Sequence, residues 1–306
     1  PELPLHRLPF RTVWDPISRA SVSRLIRERK PAIVQTYMGR ATRLVRLNRG
    51  ADPVHIARLG GYYALHPFRH AHAWVGNTRR LCDWLIQNGL PAERVFHIYN
   101  FVDPPDRAPP ERIAALRAEL ELPEDAWVLV CAGRFVPVKG HRYLIEAMRL
   151  LPPEIGGRPL RLVLLGDGVL GPDLTQQAES SGVSGRLVWA GWRTAPGPFF
   201  QLADLVVFPS LEEETLGNVI LEAWSWSRPL VTSLFRGARE IARHGEDAWC
   251  VPCADGHALA VGIESVLRDP GLAAAIANRG EERASKEFGR GPIMDRYLEL
   301  YRTLLG

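Results

Sequence analysis

Short apolar segments alternate with amphipathic segments along most of the chain. From residue 126 onward, the apolar segments predict strands at 126–132, 160–166, 186–190, 204–208, 229–233 and 248–251. Helical spacing of the apolar positions between them predicts helices at 141–151, 172–181, 197–203, 218–227 and 237–243. This alternation indicates an α/β fold with a parallel sheet covered on both faces, which binds ligands beyond the carboxyl ends of its strands.

The amino-terminal part shows the same alternation less regularly. We predict a basic amphipathic helix at 16–30, and strands at 31–36, 73–76 and 95–98 with one more that runs from Pro53 toward a glycine pair. Thr78 is the expected N-cap of a helix at 79–88. A further helix would carry a basic ridge, either a solvated face or a contact for an anionic ligand, formed by Arg43, Arg46 and Arg49.

The pattern divides the chain into two domains. Residues 1–103 form the first, and a Pro-rich run from Pro104 opens a predicted linker at 104–125. Residues 126–286 form the second domain. The segment 287–306 closes the chain with a predicted helix that places Ile293, Tyr297 and Leu300 on one face.

Glycines and cations cluster after the first strand of the second domain. Gly133 and Arg134 follow that strand, and Lys139 comes just before the next helix. The chain has three lysines against thirty-five arginines, so a lysine in this loop indicates a need for a compact ammonium group. The alternative is a pair of solvated loop charges.

A second candidate loop follows the predicted strand at 204–208 and holds Glu214, Thr215, Leu216, Gly217 and Asn218. The N–H groups and positive dipole end of the following helix can hold a diphosphate there. Glu214 could then accept hydrogen bonds from a sugar, and Glu222 on the helix could accept them from a ribose. Acidic residues that merely complement the helix dipole are the alternative.

These motifs resemble the retaining family 4 glycosyltransferases, which have the GT-B fold of two Rossmann-like parallel-sheet domains facing a cleft. The resemblance covers nearly the whole chain and is most specific over residues 126–252. Its motifs are Gly133-Arg134 with Lys139-Gly140, Leu165-Gly166-Asp167-Gly168, Ala190-Gly191-Trp192, Glu214 with Glu222-Ala223, and Asn100-Phe101-Val102-Asp103.

The resemblance implies a hexosyltransferase that uses a nucleotide-sugar, with UDP as the expected nucleotide. Arg134, Lys139 and the helix start after Gly217 would stabilise the departing diphosphate, and Glu214 would orient the sugar. Backbone groups near the base would come from Gly166, Gly191, Trp192 and Arg193. The sequence has no Asp-x-Asp motif, so we expect no metal and no cofactor.

The first domain departs from the family pattern. Many members have a histidine at the end of the strand that here begins at Pro53, but Arg58 and Tyr62 fall nearest in this chain, beside Gly60 and Gly61. These four residues are the acceptor-side candidates. The family's opening strand and Gly-rich loop are also missing, so we expect several dozen residues before Pro1.

Composition and charge narrow the partners. Apolar residues make up 46% and charged residues 24%, which is typical of a globular protein, and no apolar run is long enough to span a bilayer. Residues 1–103 hold sixteen Lys and Arg against seven Asp and Glu, while residues 104–306 hold twenty-two against twenty-seven. We therefore expect a cytoplasmic enzyme with an anionic glycan or glycolipid acceptor, in contact with an anionic membrane surface and not with nucleic acid. An arginine-rich genome would give the same bias.

Two weaker motifs remain. Cys250 and Cys253 lack the second ligand pair of a zinc site, so core or loop cysteines in a reducing compartment are expected. Gly166, Gly168 and Gly171 match a dinucleotide-binding motif, but the acid expected about twenty residues later is missing.

Two alternative functions stay open, a nucleotide-sugar epimerase of the same fold and a non-catalytic sugar-nucleotide-binding protein. Residues 53–80 are most similar to bacterial enzymes that build lipopolysaccharide and other surface glycans.

Overall fold

The structure is a computed structural model that describes residues 4–8, 12, 15–47 and 53–306. The chain divides into two compact units. Unit 1 comprises Pro1–Tyr99 with Met294–Gly306, and unit 2 comprises Asn100–Ile293. Each unit has its own parallel sheet.

The elements alternate between strand and helix. The described strands are β1 (Ile33–Tyr37), β2 (Val54–Leu59), β3 (Ala73–Gly76), β4 (Val95–His97), β5 (Trp127–Ala132), β6 (Glu154–Ile155), β7 (Arg158–Leu165), β8 (Leu187–Gly191), β9 (Leu205–Phe208), β10 (Leu230–Ser233) and β11 (Trp249–Val251). The described helices are α1 (Pro16–Arg29), α2 (Met38–Leu44), α3 (Arg79–Gln87), α4 (Pro110–Glu119), α5 (His141–Leu150), α6 (Gly171–Ser180), α7 (Gly197–Leu202), α8 (Asn218–Ser225), α9 (Ala238–Ile241), α10 (Gly256–Arg268), α11 (Pro270–Lys286) and α12 (Arg290–Leu305).

The sheet of unit 1 has the strand order β1-β2-β3-β4, and all its pairs are parallel. Its central strands, β2 and β3, are largely buried on both faces, as in a sheet covered on both sides. The core includes Leu59, Trp74 and Leu81. A histidine, His55, is buried in β2, where its Nε2 lies 3.0 Å from the Thr36 hydroxyl.

The sheet of unit 2 has the order β11-β10-β9-β5-β7, extended by β8 beside β7 and by the short antiparallel strand β6. Its core joins strand residues such as Leu129 and Leu162 to Leu144 of α5 and Ile263 of α10. Each of these side chains is fully buried, and a buried leucine or isoleucine stabilises a fold by about 1.5–3 kcal/mol. This core fixes the positions at which the strands end.

The predicted α/β fold of unit 2 is confirmed, and each predicted strand and helix bound from 126 to 251 lies within two residues of the observed one. Two features of the chain differ from expectation. The helix expected to carry Arg43, Arg46 and Arg49 ends at Leu44 because Val45 is extended, so Arg46 is not on it, and Arg49 lies outside the described residues. The expected linker contains α4, with Pro110 at the first helical turn where proline needs no N–H partner.

The chain passes between the units at two places, and within unit 2 the two passages lie side by side. The Val102 N–H donates to the Phe288 carbonyl at 2.9 Å. The Arg290 guanidinium donates from Nε and Nη2 to the two Asp103 carboxylate oxygens, both at 2.7 Å. Helix α12 begins in unit 2 and its residues from Met294 onward belong to unit 1.

Candidate active site

A cavity of about 320 Å³ lies at the carboxyl edge of the unit 2 sheet. The ends of β5 and β7 form its floor through Ala132 and Leu165, and α8 contributes Val219 and Glu222. Its other lining residues are Gly133, Arg134, Lys139, Gly166, Trp192, Arg193 and Pro196. Seven residues predicted to bind the donor therefore share one cavity, namely Gly133, Arg134, Lys139, Gly166, Trp192, Arg193 and Glu222.

Lys139 and Glu214, which are 75 positions apart in sequence, form an ion pair. The Lys139 Nζ lies 2.6 Å from the Glu214 Oε2, and the two side chains are only 17% and 16% exposed. The ammonium also lies 5.0 Å from the centroid of the Phe208 ring, on whose face a cation is attracted. The pair thus joins the two predicted donor loops by their charges.

The loop that carries Glu214 is short and tightly held. The Ser210 hydroxyl lies 3.4 Å from the Glu214 Oε2, and the Glu214 N–H donates to the Leu211 carbonyl at 3.0 Å. Gly217 ends the loop with φ of 77° and is the N-cap of α8. A Cβ there would lie 2.6 Å from the Phe235 ring, so only glycine fits.

Three contacts pack the loops of this edge backbone against backbone. A Cβ on Gly166 would lie 2.0 Å from the Gly133 carbonyl oxygen. On Gly140 it would lie 2.0 Å from the Pro209 oxygen, and on Gly237 it would lie 2.0 Å from the Thr215 oxygen. These three glycine contacts bring the loops after β5, β7, β9 and β10 closer than any side chain permits.

Helix α8 places Glu222 in its second turn, four residues after Asn218. Burial raises the pKa of Glu222 above its ordinary value, and the nearby Lys139 ammonium opposes that shift. The helix itself is anchored by the fully buried Ile220, Ala223 and Trp224. A carboxyl group held in this way can accept or donate a hydrogen bond toward a hydroxyl-bearing ligand.

The far wall of the cavity is formed by the segment after β8. Trp192 is 68% exposed there, whereas Arg193 is held by bonds from Nε to the Ala190 carbonyl at 2.9 Å and from Nη2 to Glu119 at 2.8 Å. The Gly166 N–H donates to the Gly191 carbonyl at 3.0 Å, which joins this wall to the loop after β7. An exposed indole on the rim can stack on a flat ring.

Some predicted site residues lie elsewhere. Thr215 and Leu216 belong to the loop after β9 but are buried, and Gly217 and Asn218 form the start of α8 beside the cavity. The acceptor-side candidates belong to unit 1. There Arg58 donates to the Tyr297 hydroxyl at 2.8 Å and lies over the Tyr37 ring, while Gly60, Gly61 and Tyr62 follow β2.

Sequence reasoning assigned no role to several residues that support the cavity. The Asn100 amide donates to the Asn218 side chain at the start of α8, and Glu119 from the expected linker holds Arg193. Asn100 carried a signal as part of a quoted motif, whereas Glu119 carried none. No disulfide joins any of the four cysteines, all of which the structure describes, and burial raises the pKa of Cys131 and Cys250 to about 12.

The described residues contain neither a cluster of metal-ligating side chains nor a membrane-spanning helix. Over residues 4–8, 12, 15–47 and 53–306, no three His, Cys, Asp or Glu side chains are grouped so as to hold a metal ion. In the same part of the chain no helix is both long and apolar enough to cross a membrane.

Each unit thus has a Rossmann-like parallel sheet, and a cationic cavity lies at the carboxyl edge of the sheet of unit 2. Residues 126–269 match the model of the family described as glycosyl transferases group 1. The chain is also 36% identical over 281 residues to the lipopolysaccharide core biosynthesis glycosyltransferase LpsE of Rhizobium meliloti, covering 91% of this chain and 78% of LpsE. It therefore belongs to the group 1 glycosyltransferases.

Other proteins support the same assignment. The lipopolysaccharide core biosynthesis glycosyltransferase LpsD of Rhizobium meliloti is 32% identical, covering 92% of this chain and 78% of LpsD. The crystal structure of Anabaena HepE in complex with UDP-glucose superposes with a TM-score of 0.81 at 24% identity, covering 93% of this chain and 82% of HepE. The predicted GT-B fold is confirmed by this likeness.

Proposed function

We propose that this protein is a retaining, metal-independent glycosyltransferase that moves a sugar from a UDP-sugar to an anionic glycan or glycolipid acceptor of lipopolysaccharide core or surface-polysaccharide synthesis. The observation that carries the proposal is the cavity in which Arg134, Lys139 and Glu222 converge beside the start of α8. Two cations and a helix N-terminus suit a diphosphate. The names of LpsE and LpsD and the UDP-glucose bound to HepE support the acceptor class and the nucleotide.

The chemistry follows from where charge develops. When the bond from the sugar to the diphosphate breaks, negative charge grows on the departing phosphate oxygen. The Lys139 ammonium and the Arg134 guanidinium stabilise that charge, so no metal ion is required for it. The acceptor hydroxyl attacks from the face that the phosphate leaves, which retains the configuration, and its proton passes to the departing phosphate.

The Lys139–Glu214 pair gives donor binding a defined order. The diphosphate competes with the Glu214 carboxylate for the Lys139 ammonium, 2.6 Å away. Once displaced, Glu214 accepts hydrogen bonds from the hydroxyls of the transferred sugar. Glu222, whose pKa is raised by burial, lies in the second turn of α8 and accepts a hydrogen bond from the ribose.

A thermal-shift titration tests the donor assignment. We expect UDP-sugars to raise the Tm of the protein more than GDP- or ADP-sugars, and the shift to persist in EDTA. The shift should disappear in Lys139→Ala and shrink in Arg134→Ala, with Lys286→Ala as the matched control because Lys286 is an exposed lysine of α11. Absence of any shift, or an equal shift in Lys139→Ala, would refute the donor assignment.

Product analysis tests the stereochemistry and the acceptor. We expect incubation with a UDP-sugar and lipopolysaccharide core oligosaccharide to give an anomer of the same configuration as the donor, read by the one-bond C–H coupling in NMR. An inverted anomer would contradict retention. Loss of transfer after EDTA, restored by Mg²⁺, would contradict metal independence. Sedimentation with anionic vesicles would test the expected membrane contact of the basic first domain.

A further inference from the structure

A second cavity, of about 260 Å³, lies within unit 1. The side chains that matter for its chemistry are Tyr62, Tyr63, His66, Arg69, Trp84 and Asn88. They come from the segment between β2 and β3 and from the end of α3. Among these residues, the acceptor-side prediction included Tyr62 alone.

Aromatic rings form one side of this cavity. The edge of Trp84 meets Tyr62 at a centroid distance of 5.4 Å and an interplanar angle of 82°. Tyr63 is 40% exposed and stacks on Phe68 at 6.5 Å and 21°. Such rings offer flat apolar area together with polar O–H and N–H groups. A sugar ring has the matching division between a C–H face and a rim of hydroxyls.

The other side of the cavity is cationic. The exposed Arg69 guanidinium is oriented by a bond from its Nη2 to the Asn88 carbonyl at 2.8 Å, and the Asn88 amide donates to the Trp84 carbonyl at 2.8 Å. Of the lining residues that the structure describes, none is an Asp or Glu. A guanidinium binds a phosphate or a carboxylate through paired hydrogen bonds. The cavity therefore favours an anionic ligand.

The cavity starts at the carboxyl edge of the unit 1 sheet and extends along α3. Tyr62 lies three residues beyond Leu59, the last residue of β2. A Cβ on Gly60 would lie 3.9 Å from Met38, which follows β1, and 3.8 Å from Asn77, which follows β3. The segment after Gly60 thus leaves from the carboxyl edge of the sheet, where α/β folds bind ligands. Helix α3 also starts at that edge, and its C-cap Asn88, which holds Arg69, lies at the far end of the helix. At 260 Å³ the cavity is below the ~300–1,000 Å³ of sites for drug-sized ligands, so it holds about one sugar ring.

We propose that this cavity binds one sugar residue that carries a phosphate or carboxylate group, with the ring on Tyr63 and Trp84 and the anionic group on Arg69. Its role as part of the acceptor site rests on the proposed function. Binding of the charged sugar to unit 1 does not rest on it.

The test is saturation-transfer NMR on the full chain with glucose 6-phosphate, glucuronic acid and glucose, in the presence of saturating UDP. We expect at least one charged sugar to show signals about fivefold stronger than glucose, and the stronger of the two identifies the anionic group. Arg69→Ala should abolish the preference for charge, and Tyr63→Ala and Trp84→Ala should weaken all signals at least fivefold. Because Trp84 packs on the core of unit 1, the two exposed positions, Arg69 and Tyr63, keep the test valid if Trp84→Ala unfolds.

Matched controls are Arg94→Ala and Ile86→Ala, which change exposed residues outside the cavity. Equal signals for charged and uncharged sugars, or unchanged signals in Arg69→Ala and Tyr63→Ala, would overturn the proposal. Signals that UDP removes would report the cavity of unit 2 and would also overturn it. A separate UDP titration on the same samples tests the donor assignment, so failure of one conclusion is distinguishable from failure of the other.

Discussion

Unit 2 contains two ion pairs with the same separation and opposite surroundings. Lys139 and Glu214 lie 2.6 Å apart beside the cavity of unit 2, and Arg283 and Asp247 lie 2.6 Å apart with only 6% and 0% of their side chains exposed. Arg283 also donates to the Ile241 carbonyl and to both oxygens of Glu287, and its guanidinium lies 5.0 Å from the Trp224 ring centroid.

The difference separates a charge whose partners are all fixed by the fold from a charge that a ligand can reach. Arg283 has its donors used by fixed partners of the fold, which offsets the cost of burying it. Lys139 has one carboxylate partner and an open cavity in front of it, so a ligand can replace that partner. Equal distance therefore carries no information about role, whereas the number of fixed partners does.

The largest effect is expected from breaking the buried pair of Arg283 and Asp247. Arg283→Ala leaves the buried Asp247 carboxylate without its cation and should lower the free energy of unfolding by about 3–5 kcal/mol. Urea denaturation followed by circular dichroism measures this loss. The double variant Arg283→Met with Asp247→Leu should recover most of it, since no charge is then buried. A loss under 1 kcal/mol in Arg283→Ala would show that the two pairs do not differ in kind.

Breaking the pair of Lys139 and Glu214 should lower the rate of sugar transfer and leave the fold intact. Lys139→Ala removes the compact charge that faces the departing phosphate, so we expect turnover to fall by about 10²–10³-fold, or roughly 2.7–4 kcal/mol. The Tm without ligand should change little because Glu214 can turn to solvent. Lys139→Arg should rescue only partly, since a guanidinium is larger and planar. Near-wild-type turnover in Lys139→Ala would contradict the functional assignment of the pair.

The buried His141 should make the stability of unit 2 depend on pH. Burial, and secondarily the Lys139 charge, lowers the pKa of His141 to about 4. Its pKa in the unfolded chain is about 6.5, so the unfolded state binds more protons between the two values and stability falls as the pH drops from 6.5 toward 4. The expected loss is on the order of 3 kcal/mol by pH 4. Denaturation curves at several pH values measure it.

His141→Leu provides the control for that pH dependence. The imidazole is 2% exposed and neither ring nitrogen has a hydrogen-bond partner in the described part of the chain, so an apolar side chain of similar size should be tolerated. We expect a shallower pH slope between 6.5 and 4 in this variant. An unchanged slope would assign the acid sensitivity to other groups, of which His55, with a pKa lowered to about 3 by burial, is the first to examine.

The smallest effect is expected at an exposed pair. Arg268 and Glu264 lie 2.7 Å apart on α10 with side chains 55% and 37% exposed. Arg268→Ala should cost about 0.2–1 kcal/mol of unfolding free energy, because solvent screens such pairs. Measured beside Arg283→Ala under identical conditions, the loss of unfolding free energy in Arg268→Ala is the reference value for an exposed ion pair. A cost as large as that of Arg283→Ala would show that burial is not what distinguishes them.

Much of unit 2 could be predicted from the sequence because its strands are continuous apolar runs and its motifs stand where those runs end. Motif order and spacing, together with residue type, selected Arg134, Lys139 and Glu222, which the structure places around one cavity. The contact between Lys139 and Glu214 could not be predicted, since it depends on how β5 and β9 pair in the sheet. The Arg283–Asp247 pair, 36 positions apart, was missed because it depends on how α11 packs against the segment before β11.

Less of the structure of unit 1 could be predicted from the sequence. The three-residue spacing of its arginines suggested a longer helix than α2, yet Val45 leaves the helical region and ends it. The aromatic cavity has no motif in sequence because Tyr63 and Trp84 come together only after the segment beyond β2 folds against α3. In the predicted linker a helix was missed, because the Pro-rich run from Pro104 to Pro110 was interpreted as linker although Pro110 begins α4.

The three glycine contacts at the edge of the unit 2 sheet have a consequence for protein engineering. Gly140, Gly166 and Gly237 each meet a backbone oxygen of another loop at a distance that excludes any Cβ. A loop grafted from a relative with a different nucleotide preference would therefore arrive without the neighbours that its backbone was shaped to meet. Transplanting the loops after β5, β7, β9 and β10 together would preserve those contacts, so the exchangeable unit for donor specificity is the whole edge.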